Sequence, residues 1–421
     1  MSQTLEQMPQ TKLSGTLIER RCRALCLNTL DHLVQGHLEL WESGHCHHFG
    51  DPTDQSLKAR VDILDPSAWA DVALRGSLGA GEAYMDGTIA IDNLAQMTRI
   101  FVRNVHVLDK LENKLVQLIK PALRMTHWFN RNTKENSRKN IKAHYDLGNE
   151  LFERFLDPTM MYSSGVYPAH DAPLETAATH KLDLICQKLG LKPGMHLVEI
   201  GTGWGGLAIH AAQNYGVQVT TTTISDAQHD FAQERIHAAG LSDQITLLKK
   251  DYRDLDGEYD RLVSVEMIEA VGHQYLDTFF AKCRSLIKPD GLMLIQAITI
   301  VDHRYQQALK GVDFIQKYIF PGGFVPSVSA MMKSVSQVTD LRLVHLEDYA
   351  EHYARTLADW RIRFDQRIDE IAHLGYDERF QRMWRYYLAY CEGGFAERQL
   401  GLGQLLLAAP ASPAQTPHSA L

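Results

Sequence analysis

The segment EIGTGWGG, residues 199–206, decides how the chain is read. It follows the short apolar run HLVEI (196–200) and precedes a helix-forming stretch, so it is predicted to join a buried strand to a helix. Gly201, Gly203 and Gly206 match G-x-G-x-x-G, a spacing that bares the backbone to a ligand. Taken alone, that spacing suits a tight structural turn as well as a dinucleotide site.

Working outward, VQVTTTT (217–223), QITLLKK (244–250), YDRLVSV (259–265) and LMLIQAITI (292–300) read as further buried strands. Helical stretches such as ISDAQHDFAQERIHAAG and YLDTFFAKCRSLI separate them. Strands alternating with helices predict a mostly parallel, doubly wound Rossmann-like α/β sheet, with ligands beyond the C-terminal strand ends. A dinucleotide site wants an acid about 20 residues further on, but the second strand ends in TTTTIS (220–225). The acids stand instead at Glu199, beside the turn, and at Asp251, after the third strand. That arrangement favours S-adenosylmethionine, whose methionine portion needs close backbone approach at the glycines.

The flanking sequence is less regular. Residues 1–14 and the Pro/Ala/Ser-rich tail 408–421 are expected to be disordered. Residues 15–119 are predicted as a smaller α+β domain, with LKARVDIL (57–64) as a strand and NLAQMTRIFVRNV (93–105) as an amphipathic helix. The segment 120–146 carries Lys134, Arg138, Lys139 and Lys142 with Trp128 and Phe129. It reads either as a solvated linker or as a docking surface for phospholipid headgroups. Residues 147–407 form the larger predicted domain.

A net charge of −8 over 421 residues argues against a general nucleic-acid binder. No apolar run approaches the roughly 18–20 residues of a membrane-spanning helix, so any meeting with lipid is expected at the surface. The start lacks the pattern of a signal peptide, and six scattered cysteines are expected to be reduced thiols in the cytoplasm. HCHHF (45–49), with Cys22 and Cys26 upstream, tempts a zinc reading, but the same spacing is normal for packing and no metal is expected.

Five ordered motifs make a resemblance specific: IKAHYDLGNELFERFLDPTMMYSSGVY (141–167), LKPGMHLVEIGTGWGGLAIHAA (191–212), TISDAQHDFAQERI (223–236), YDRLVSVEMIEAVG (259–272) and DFIQKYIFPGGFVPS (313–327). Together they resemble the cyclopropane-fatty-acyl-phospholipid synthase family, and the weaker GSLGAGEAYMDG (76–87) is similar to a segment of its N-terminal domain. The resemblance implies methyl transfer from S-adenosylmethionine to the cis double bond of an unsaturated membrane phospholipid. A bound bicarbonate would then remove a proton and close a cyclopropane ring. It further implies peripheral association with the inner membrane and is compatible with a homodimer.

Carried over residue by residue, the resemblance puts the Ser164 amide, Glu269, the Ile298 backbone and the Tyr353 phenol around the bicarbonate. Gln296 stands where the bacterial enzymes carry histidine, and Ser164 where they carry cysteine. Glutamine can hydrogen-bond an ion but cannot carry a proton at neutral pH, which leaves a methyl- or methylene-branched product open. A noncatalytic lipid-binding relative is the third reading. For S-adenosylmethionine the resemblance implies Tyr162 and Ser163 at the methionine end and Gly201 and Gly203 at the backbone. Thr223 and Gln228 would face the ribose, with Tyr252 and Arg253 flanking the adenine. Tyr145, Trp204, Phe314, Tyr318 and Phe320 would line an acyl channel or pack as ordinary core.

Overall fold

The computed structural model describes residues 15–107 and 148–413. The basic segment 120–146, Tyr145, residues 1–14 and the end of the tail from 414 lie outside the described residues. Two compact units emerge, and the smaller one combines residues 1–122 with 376–397. The predicted boundary 147–407 therefore differs from the structure: the helix Glu378–Ala396 belongs with the N-terminal elements.

In the smaller unit a four-stranded sheet runs in the order β2-β1-β3-β4, from His45–Gly50, His37–Glu42, Lys58–Ile63 and Ile89–Ile91. The strand and helix predicted at 57–64 and 93–105 form at Lys58–Ile63 and Leu94–Arg103. Asn93 caps that helix, and Met97 and Ile100, three residues apart on one of its faces, are buried, as the 3.6-residue period demands. The Glu378–Ala396 helix packs against it closely because Gly393 has no side chain; a Cβ there would sit 2.6 Å from Thr98. Glu397 then receives Arg99 and Arg103 at 2.7 Å each.

The larger unit holds a seven-stranded sheet in the order β10-β11-β9-β8-β5-β6-β7. The five predicted strands form as β5 (His196–Ile200), β6 (Gln218–Thr222), β7 (Ile245–Leu248), β8 (Tyr259–Val265) and β9 (Ile287–Ile300), all parallel. β11 (Leu400–Ala408) runs antiparallel to β9, and β10 (Arg342–Asp348) pairs antiparallel with β11; neither was predicted. Gly401 and Gly403 weaken the strand signal of β11, and β10 is a largely exposed edge. Pairing with β9 and β10 along its two edges and burial on both faces settle β11 nonetheless: Leu405, Leu406 and Leu407 are all core.

The tail predicted to be disordered from 408 is ordered through residue 413. Ala408 ends β11, and the Ala409 and Ala411 amides donate to the carbonyls of Gly291 and Pro289 at 3.0 Å. Among the described residues no helix is long and apolar enough to cross a membrane.

Candidate active site

β5 delivers the glycine turn beyond the strand ends. Gly201, Gly203 and Gly205 all adopt positive φ (104°, 54° and 86°), a region closed to most side chains. A Cβ on Gly203 would meet nothing within 4 Å, so the turn opens onto free space where a ligand's bulk can sit. Gly206 differs: a Cβ there would press within 2.6 Å of the Thr159 carbonyl, so the third glycine of the spacing serves packing. The following helix, Gly206–Tyr215, directs its N-terminus toward this turn.

Around the turn, Thr223 donates to Gln228 at 2.9 Å, both buried. Arg253 holds Asp251 through two bonds of 2.8 and 2.6 Å and lies over the Tyr252 ring at 5.5 Å. These residues lie at the ends of β6 and β7, the side on which a doubly wound sheet holds its ligand, and their polar groups and ring fit S-adenosylmethionine. Glu199 corrects the reading: it is fully enclosed and accepts from Thr221 at 2.6 Å. Burial pushes its carboxyl up to about 8, so it is a structural acid within the sheet. Its neighbour Lys181, also fully buried, is pulled down to about 8 by burial and donates to Ser163 Oγ at 2.8 Å.

At the end of β8, two carboxyl groups face the ends of β9. Glu269 accepts from the Ile298 amide at 2.6 Å through one oxygen, while Oε2 is buried with no partner among the described residues. Burial pushes this carboxyl up to about 8, and the charge of Glu266 acts in the same direction. The PGG turn at 321–323 fixes the loop, because the Phe324 amide donates to the Glu269 carbonyl at 3.0 Å.

Glu266 was missed by the sequence reading, and it takes over the expected cage. Its Oε1 receives the Ser164 amide at 3.2 Å and the Gln296 amide at 2.8 Å; its Oε2 receives the Tyr353 phenol at 2.6 Å. Burial raises its pKa, with Tyr353 and Gln296 opposing that rise. Of the five residues expected around bicarbonate, Ser164, Gln296 and Tyr353 thus donate to Glu266 and Ile298 donates to the fifth, Glu269, so the residues present do not fit the ion as expected. The signal that might have found Glu266 is its place directly after a strand's C-terminal end, three residues before Glu269.

Behind the acids, Gln296 accepts from Gln404 at 2.9 Å, and Gln404 accepts from Lys188 at 2.7 Å. Lys188 also donates to Glu347 and to the Tyr349 phenol. The register of the unpredicted β11, Gln404 opposite Gln296, makes this chain possible. An aromatic wall completes the site: Tyr353 meets Trp360 edge-on at 6.2 Å, Trp360 meets Tyr162 at 5.4 Å, and Tyr162 meets Phe320 at 6.4 Å. Trp204 and Phe314, by contrast, are core; Trp204 donates to Asn149 at 2.8 Å and packs on Phe152.

Away from this site, the cysteines and histidines that tempt a zinc reading do not gather into one cluster among the described residues. Cys26 is buried and its thiol points at the Trp69 carbonyl, whereas donor atoms of His37, Glu39 and His48 lie within 4.8 Å of one another. Lys58 occupies Glu39 at 2.7 Å.

Comparison with known proteins agrees with this geometry. Residues 132–405 match the family described as mycolic acid cyclopropane synthetase. The chain is 41% identical over 356 residues to the cyclopropane-fatty-acyl-phospholipid synthase of Escherichia coli (strain K12), covering 83% of this chain and 88% of that one. It is 40% identical over 343 residues to the tuberculostearic acid methyltransferase of Mycobacterium tuberculosis, covering 80% of each. The solved cyclopropane synthase MmaA2 from Mycobacterium tuberculosis superposes with a TM-score of 0.61 at 30% identity, covering 64% of this chain and 98% of that one. A mycolic acid cyclopropane synthase complexed with SAH and CTAB gives 0.60 at 30% identity, over 64% and 98%. The chain belongs to the cyclopropane-fatty-acyl-phospholipid synthase family of S-adenosylmethionine-dependent methyltransferases.

Proposed function

We propose that this protein methylates the cis double bond of an unsaturated phospholipid acyl chain and closes a cyclopropane ring. The observation that carries the reading is the pairing of an open glycine turn with two enclosed carboxyl groups behind an aromatic wall. The turn supplies a cofactor cradle, and the acids supply a proton acceptor in surroundings that an acyl chain would keep dry.

When bound, S-adenosylmethionine supplies an electrophilic methyl group. Gly201 and Gly203 would admit its methionine portion to the backbone, with Tyr162 and Ser163 beside it. Thr223 and Gln228 would hold the ribose hydroxyls, and Tyr252 with Arg253 would flank the adenine. An alkene is a weak nucleophile, so the protein's contribution is alignment and a dry, electron-rich setting for the cation that methylation leaves. The faces of Tyr162, Trp360 and Phe320 are suited to stabilise it. The basic segment 120–146 would dock on the anionic surface of the inner membrane. Neutralising Lys134, Arg138, Lys139 and Lys142 should weaken vesicle binding by about 1 kcal/mol per cation at low salt.

A branched product is the second reading. Relatives named as a cyclopropane synthase and as a methyltransferase match at nearly the same identity, 41% and 40%, so similarity alone does not select the product. Purified protein incubated with cis-unsaturated phospholipid vesicles and methyl-labelled S-adenosylmethionine decides by mass spectrometry followed by hydrogenation. A methylene-mass gain with the double bond gone supports the ring. The same gain with a double bond retained supports a methylene branch, and no gain refutes lipid methylation.

A further inference from the structure

Three of the donors expected to surround an ion converge instead on one side chain, and the backbone is bent to put it there. Glu266 has a φ of +49°, a left-handed conformation in which glycine would sit without strain. A glutamate is held in it by its own amide, which donates to the Gln296 carbonyl at 2.8 Å. Strain tolerated at a polar residue that ends a strand points to use of the side chain.

The hydrogen bonds also fix which way each amide faces. Lys188 can only donate, so the Gln404 atom at 2.7 Å must be its oxygen. The Gln404 nitrogen therefore faces Gln296, whose oxygen accepts at 2.9 Å. That leaves the Gln296 nitrogen to point at Glu266 Oε1 at 2.8 Å. Two amides do not carry a proton between them, so the series acts by orientation: a buried cation at one end presents an N–H to the carboxylate at the other.

Of the two neighbouring acids, Glu266 has three donors and Glu269 has one. Hydrogen bonds to a carboxylate favour its charged form, so Glu266 carries the charge and Glu269 the proton, with its unpartnered Oε2 available to bear it. A carboxylate in a desolvated aromatic setting is a stronger base than one in water.

We propose that Glu266 is the catalytic base of this protein, a built-in carboxylate in the place where a bicarbonate ion was expected, so that turnover needs no bicarbonate. The inference rests on the lipid-methylation reading above. The double bond's π pair bonds the methyl carbon, the sulfonium sulfur keeps the electron pair of the broken C–S bond, and the acyl chain is left a carbocation. Glu266 takes a proton from the added methyl, and the freed C–H pair forms the last ring bond. The proton passes to solvent before the next cycle.

The test measures labelled lipid product with bicarbonate stripped from the buffer under inert gas, and again with bicarbonate restored. Wild-type rates should agree within about twofold, while E266Q, nearly isosteric, should lose about 100-fold or more. Affinity of E266Q for S-adenosylhomocysteine, read by calorimetry, should be unchanged and shows that the fold persists. In E266A the freed donors of Ser164, Gln296 and Tyr353 should hold an added ion, so millimolar bicarbonate or formate should raise its rate saturably by about tenfold. A wild-type rate that collapses without bicarbonate, or an E266Q that turns over normally, overturns the proposal while leaving lipid methylation standing. Absence of labelled product from the wild-type protein in both buffers overturns the lipid reading and this inference with it.

Discussion

The two sides of the site are built from opposite materials. The cofactor side is backbone: one turn of a few residues, shaped by the left-handed glycines Gly201, Gly203 and Gly205. The proton-accepting side is side chain: Glu266, Ser164, Gln296, Tyr353, Gln404 and Lys188 reach one another from the loop after β8, from β9 and β11, and from three further segments. A cradle made of backbone tolerates many neighbours but almost no added side chain. A polar cluster tolerates rearrangement in steps, because its members are joined through separate hydrogen bonds that can be lost one at a time.

The sharpest way to break that contrast is Gly201→Val. Strain at φ +104°, about 1–3 kcal/mol, adds to a Cβ placed 3.3 Å from Met267. Affinity for S-adenosylhomocysteine should fall by about 100-fold in calorimetry. Unchanged affinity would mean that the turn does not cradle the cofactor.

On the other side the losses should be graded. Tyr353→Phe removes the 2.6 Å donor from Glu266 without opening space. The rate should fall by about tenfold with S-adenosylhomocysteine affinity intact, because a hydrogen bond to a charged group contributes about 1.5–3 kcal/mol. Loss of a donor to the anion also raises the Glu266 pKa, so the acidic limb of the pH–rate profile should move to higher pH. A pH profile that stays in place would make the phenol a packing group only.

The same division explains what could be read in advance. The glycine turn, the five parallel strands and the residues at their ends are local: apolar runs, such as 196–200 and 292–300, bounded by turn formers. The acid cluster depends on pairings between residues more than a hundred positions apart, such as Gln296 with Gln404. Its key strand, β11, carries two glycines that depress the strand signal, and tertiary burial overrides that weakness. Glu269 and Tyr353 were expected around an ion; in the structure Glu269 accepts from the Ile298 amide and Tyr353 donates to Glu266, a residue the resemblance did not bring forward. Residue types carried over by resemblance say which groups gather; they do not say which of them touch.

Lys188→Met should have a smaller effect, and it separates orientation from packing. Without the donor-only cation, Gln404 and Gln296 can both turn over, and Gln296 then presents oxygen to Glu266 part of the time. We expect a rate loss of about threefold to tenfold, less than one whole hydrogen bond to a charge supplies, because Gln296 still presents its N–H part of the time. The acidic limb should shift upward as in Tyr353→Phe. Lys188→Arg, which also only donates, should restore the limb; a limb insensitive to both would reduce Lys188 to a partner of Glu347.

The smallest effect belongs to Glu199, the acid that lies beside the cofactor turn but faces into the sheet. Its folded pKa, pushed up by burial to about 8, exceeds the ordinary carboxyl value of 4.5. The folded state therefore binds its proton more tightly than the unfolded chain does. The stabilisation this provides is complete below pH 4.5 and is lost as pH rises toward 8. Lys181 remains protonated in both states through most of that window, since burial brings it down only to about 8. Glu199→Gln keeps a group that can accept from Thr221 and has no proton to lose, so its melting temperature should change less between pH 5 and 8 than that of the wild-type protein. Cofactor affinity should stay the same in this variant. If affinity falls instead, Glu199 belongs to the cradle after all, and the boundary between a side made of backbone and a side made of buried acids would have to be redrawn through the first strand.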